Sequence, residues 1–76
     1  MNAARILLGN ASYEVVTSHR FDTGGMFKST AGVVRDGDGF KAFVRTGWGG
    51  GGMSKKHETR EAAERDLERL KSRLAE

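Results

Sequence analysis

The stretch MFKSTAGVVRDGDGFKAFVRT, residues 26–46, decides the fold. Its middle, Asp36-Gly37-Asp38-Gly39, is made of residues that close tight turns. On either side lie runs rich in β-branched and aromatic residues, Met26 to Arg35 and Phe40 to Thr46. The whole therefore reads as an antiparallel hairpin. Gly32, inside the first run, marks a bulge or a point of close backbone approach. Alternation divides the second run into two faces. Phe40, Ala42 and Val44 share an apolar side and are expected in the core. Lys41, Phe43 and Arg45 share the other, a cation–aromatic–cation row expected to face outward.

Upstream, Arg5-Ile6-Leu7-Leu8 ends at Gly9-Asn10, a dipeptide suited to a primed hairpin turn. Tyr13 to Thr17 follows as a strand, and Leu7, Tyr13 and Val15 are expected in the core. Downstream, the glycine cluster Gly47 to Gly52 around Trp48 reads as a loop, and Met53 to Glu58 as a short polar strand. From Thr59 the period becomes helical. Ala63, Leu67, Leu70 and Leu74 form one apolar stripe, Thr59 is placed to cap it, and Glu61 and Glu64 suit its first turn. The stripe needs a partner, and the apolar side of the sheet is the one the chain offers. The expected fold is α+β: an antiparallel sheet of three or more strands packed on one C-terminal helix. One domain is expected, with residues 1–25 as an N-terminal hairpin extension, 26–58 as the central sheet and 59–76 as the helix.

Composition bounds the rest. A 76-residue chain is one small domain, and a chain of that size buries only about 60% of its unfolded surface. Without cysteine it has neither a disulfide framework nor a thiolate-bound metal to staple it. No apolar run is long enough to span a bilayer, and no signal peptide is apparent, so a cytoplasmic protein with no membrane partner is expected. The chain begins at Met1 and reads as a complete short protein. Thirteen Lys and Arg against ten Asp and Glu leave +3, with a pI near 9.7, which suits nucleic acid without demanding it.

Several motifs are incomplete. Gly47, Gly49 and Gly52 match the spacing of a dinucleotide-binding loop, but no βαβ unit follows. Asp36-Gly37-Asp38-Gly39 opens like a calcium loop, but Phe40 and Gly47 stand where ligands are needed. His19 and His57 are too few for a metal site and are expected at the surface. No nucleophile elbow or isolated carboxylate pair is present. The expectation is a non-catalytic protein with no cofactor and no metal.

Gly32-Val33, the run Gly39-Phe40-Lys41-Ala42-Phe43-Val44-Arg45 and Thr59-Arg60-Glu61-Ala62-Ala63 together resemble the AP2-type DNA-binding domain. That domain is also found at the N-terminus of many phage and transposon integrases. The resemblance covers roughly residues 32–70 and implies three antiparallel strands on one helix, with DNA bound across the sheet. It implies that Arg45 contacts DNA and that Phe43 occupies another outward position. The chain differs in having Val34 after Gly-Val and a polar third strand, and residues 1–25 have no counterpart. In size alone the chain also resembles the small proteins phages encode to disable host machinery, anti-CRISPR proteins among them.

The candidate binding residues are therefore Arg35, Lys41, Phe43, Arg45, Trp48 and Lys55, with Arg65, Arg69 and Arg73 as a second row on the helix flank. The partner is DNA, or a host protein or nucleoprotein complex, and the chain is a monomer or a homodimer. Two alternatives stay open. Phe43 is either a stacking contact or a residue covered by the N-terminal segment. Trp48 is either a contact or a core anchor.

Overall fold

The computed structural model describes residues 4–22, 28–47 and 51–75. Five strands, β1 (Arg5–Leu8), β2 (Ala11–Asp22), β3 (Lys28–Asp36), β4 (Gly39–Arg45) and β5 (Gly51–Met53), precede one helix, α1 (Arg60–Ala75). Each strand pairs antiparallel with its sequence neighbour, giving the order β1-β2-β3-β4-β5 in a sheet curled into a half-barrel. The α+β expectation holds. The central hairpin lies where the sequence puts it, with Asp36 opposite Gly39 across a two-residue turn. Gly37 leads that turn at φ +61° and Gly9 leads the β1–β2 turn at φ +62°. Glycine is favoured at the first central position of this mirror-image turn, because a Cβ there meets the backbone.

The helix packs on β3 and β4 through Ala63, Leu67 and Leu70 of the stripe read from the sequence, while the Leu74 side chain lies outside those described. Ala31 and Val33 of β3, Ala42 and Val44 of β4, and Ala63 and Leu67 of α1 form the buried cluster. Val16, Phe21, Phe40 and Leu70 pack around it. Thr59 caps the helix: the Ala62 N–H donates to its hydroxyl at 3.2 Å. Such a cap satisfies one of the donors a helix start leaves unpaired. On the other flank Lys71 reaches back to β2, donating to His19 Nε2 at 3.1 Å and lying 5.8 Å from the Phe21 ring centroid.

The second strand departs most from expectation. It runs 12 residues, not five, and its register with β3 slips between Val15 and Thr17. Such a slip bends and twists a strand. Gly32 sits beside it, opposite Ser18, where an added Cβ would lie 2.0 Å from the Thr17 carbonyl oxygen. This is the close approach that the glycine signals.

Beyond the bend, the β1–β2 hairpin curls over the sheet face opposite the helix. Its tip, Leu7 to Gly9, faces Arg45 and Gly51 to Met53 across a cleft. The curl turns that face of β4 into an interior. Phe43, expected to face outward, is wholly buried, as is Val34. Leu7, expected in the core, is 63% exposed, because it stands on the outer edge of the hairpin beside the cleft.

The last strand is also shifted. It begins inside the glycine cluster at Gly51 and ends at Met53, where the polar strand was expected to begin. Residues 54–57 still follow β4, displaced by one residue. Ser54 donates its N–H to the Ala42 carbonyl at 2.8 Å, while its hydroxyl accepts from the Ala42 N–H at 2.9 Å. His57 and Phe40 then exchange backbone hydrogen bonds of 2.7 and 2.8 Å. The serine hydroxyl replaces a backbone acceptor, so the ladder slips without leaving Ala42 unpaired.

Candidate functional site

The row expected along β4 does not form a single surface. Arg35 is the cross-strand partner of Phe40, and opposite residues share a face, so it stands on the helix side of the sheet, away from Lys41. There it lies over the Phe40 ring at 5.2 Å and pairs with Glu14 at 3.6 Å. Lys41 is half-buried, 3.4 Å from the Asp36 carboxylate and 5.8 Å from the Tyr13 ring centroid. Phe43, opposite Gly32 and Met53 on the inner face, has no exposed surface. Arg45 alone of the four is exposed on the inner face with no ion pair among the described residues. Trp48 lies outside the described residues.

What the register builds instead runs across the strands. Arg20, Thr30, Arg45 and Gly51 are successive partners from β2 to β5 and occupy one row on the inner face. Arg20 and Arg45 are both exposed, one strand apart. Arg20 is missed by sequence reasoning because the strand reading stopped at Thr17. The signal was alternation of Thr17, His19 and Phe21 against Ser18 and Arg20, obscured by the bulge that breaks its phase.

A second group gathers on the other side of β5. His57 Nε2 donates to Asp66 Oδ2 at 2.6 Å, tying the segment after β5 to the helix. That hydrogen bond, with the nearby charges of His57, Arg69 and Lys55, holds the Asp66 carboxyl below its ordinary value against the opposing effect of desolvation. His57 was expected at the surface, and this corrects it: its side chain is 14% exposed, because the ladder to Phe40 turns the ring towards α1. Arg69 lies 3.6 Å from Asp66 Oδ1 with its own side chain 78% exposed. Lys55 is exposed close by, whereas Lys56 is engaged at 2.7 Å by Asp38. Arg65 and Arg73 are exposed on the helix. Arg65 lines a groove against β2 with Glu61, Glu64 and Glu68, where acidic side chains offset its charge.

Of the expected residues, then, Lys55 and Arg69 gather around Asp66 on the helix side, while Arg45 stands opposite Gly51 at the start of β5. The cleft beside β5 has Leu7, Leu8 and Gly9 as one wall, Gly51, Gly52 and Met53 as the other, and Arg45 at the margin. It combines exposed apolar surface, a cation and two strand edges. Such a combination can hold a macromolecular segment, and it presents no nucleophile, base or metal-ligating cluster among the described residues. No protein-family model, curated protein or solved structure matches the chain. No helix among the described residues is long and apolar enough to cross a membrane.

Proposed function

We propose that this chain is a non-catalytic binding protein that engages a protein partner through the open cleft between its first hairpin and its last strand. The observation that carries this reading is the cleft itself, where Leu7 lies 63% exposed opposite an unpaired edge strand. An exposed leucine beside an open strand edge exposes apolar area and unpaired backbone groups together, which a protein partner can cover. The partner class suggested by size is the host machinery that small phage-encoded inhibitors disable, a DNA-targeting nucleoprotein complex included, within the bacterial cytoplasm.

DNA binding is the second reading, favoured by the exposed pair Arg20 and Arg45 on one cross-strand row. It loses the aromatic contact the AP2-type resemblance implied, since Phe43 is buried. The two readings separate in one experiment. Capture from a nuclease-treated bacterial lysate, with Leu7→Asp as the control bait, recovers a stoichiometric protein with the natural chain only. A duplex-DNA complex whose log affinity falls with log salt at a slope of about −2 to −4, and which Arg20→Glu and Arg45→Glu abolish, supports DNA instead. Recovery of the same proteins by both baits overturns the cleft as the binding site.

A further inference from the structure

The half-barrel has two unpaired strand edges, and they face the same gap. The direction of their free backbone groups follows from alternation. Ala42 points both its N–H and its C=O towards Ser54, so two residues on, Val44 points its pair at Gly52. The N–H and C=O groups of Gly51 and Met53 therefore point away from β4, into the open side. On β1, Leu8 closes the two-residue turn with Ala11 and so faces β2, which leaves the Leu7 groups outward. Among the described residues nothing pairs with any of them.

Edge strands are ordinarily protected by proline, by an inward charge or by a covering element. The β5 edge is short, Gly51, Gly52 and Met53, and carries neither proline nor charge. Its surroundings are charged in one sense. Arg45, the cross-strand partner of Gly51, flanks it on the inner face, with Arg20 further along the same row, and Lys55 is exposed two residues past Met53. Asp66, which lies near Lys55, is already engaged by His57 and Arg69. An extended segment on this edge would present alternate side chains to the two faces, so an acidic residue facing inward would meet Arg45.

Resting on the reading of the chain as a protein binder, we propose that its partner supplies an acidic extended segment that pairs with β5 as a sixth strand and fills the gap towards β1. Backbone hydrogen bonds to Gly51 and Met53 supply affinity independent of sequence, and Arg45, with Arg20 on the same row, selects acidic side chains. Leu7 and Leu8 line the far side of the gap that the segment fills.

The probe is a synthetic octapeptide of alternating Val and Glu, compared with its Val–Lys counterpart and with a version N-methylated at alternate residues. Binding is followed by amide chemical shifts and hydrogen exchange on the isotope-labelled protein. The expected result is binding of the acidic peptide at least ten-fold tighter than either comparison peptide, with new protection at the Gly51 and Met53 amides. The combined variant Arg20→Glu, Arg45→Glu, Lys55→Glu, whose three side chains are all exposed, is expected to reverse the preference in favour of lysine. Equal binding of the N-methylated peptide, no charge preference, or protection confined to Leu7 overturns strand addition at β5. No peptide binding, combined with a lysate partner that depends on Leu7, overturns strand addition while leaving the protein-binding reading intact. Loss of both overturns the two together.

Discussion

Replacing Phe43 with alanine tests whether the inner face of β4 is a core or a contact surface. The ring has no exposed surface, and its cross-strand neighbours are Gly32 and Met53. Glycine offers no side chain to relax into the space, and Met53 covers one side only. The cavity left by truncation should therefore persist, and a buried Phe→Ala change of this kind costs about 3–5 kcal/mol. A domain of 76 residues has a total of about 4–11 kcal/mol at the usual stability per residue. At about 4–8 °C per kcal/mol for a chain of this length, the melting temperature should fall by at least ~12 °C. Phe43→Leu keeps most of the volume and should cost about 1 kcal/mol. Thermal and urea denaturation followed by far-ultraviolet circular dichroism read both, with Arg45→Ala as an exposed control that should move either midpoint little. A Phe43→Ala protein melting within 2 or 3 °C of the natural chain, by the same order-of-magnitude scale, would refute the buried inner face and restore Phe43 as a surface contact.

Other substitutions probe separate joints. Gly32→Ala should destabilise by about 2–3 kcal/mol or more, since the new methyl collides with backbone at Thr17 and Ser18 that no rotamer can move; an unchanged urea midpoint would argue against the close approach. Thr59→Ala removes the hydroxyl that accepts from Ala62 and should cost about 1 kcal/mol, with Thr59→Asp restoring most of it. Asp66→Asn addresses pH. Because the folded carboxyl titrates below its ordinary 3.8, the ionised form stabilises the fold above that value and the contribution disappears as pH falls through the lowered one. The natural chain should therefore lose stability below about pH 4 more steeply than Asp66→Asn, as chemical denaturation at a series of pH values would show. Parallel curves would remove the carboxylate from the account.

The central hairpin and the helix were legible because each is set by local chemistry. Asp36 to Gly39 can only turn, and the spacing from Ala63 to Leu70 has one buried solution against a sheet. Phe43 and Leu7 were misplaced for a shared reason. Alternation reports which residues share a face, but not whether that face is covered, and coverage here depends on a bend in β2 some 27 residues upstream of Phe43. The bulge that makes the bend also hid Arg20, by breaking the phase through which its face could be read. Lys41 and Arg35 have the residue types of a binding surface, yet the register places Asp36 and Glu14 against them. Lys55 and Arg69 are 14 positions apart in the chain, and only the docking of α1 on the sheet brings them together around Asp66.

The strand order has a consequence for how the chain reaches its fold. All five strands pair with the strand immediately before or after them, and two of the four connections are two-residue turns. Few loops need to be closed over long distances before contacts reward the lost chain entropy, so the search is short for a sheet-rich protein. The sequence also has no proline, which removes the commonest source of a slow refolding phase. Refolding from urea should follow one exponential on a millisecond scale or faster, as expected for mixed topologies dominated by local pairing. The β1–β2 hairpin is the exception, since its tip must swing across the whole width of the sheet to reach β5. That closure is the step at which the protein exchanges an open ribbon for a curled one, and amides of the inner face should be the last to gain protection.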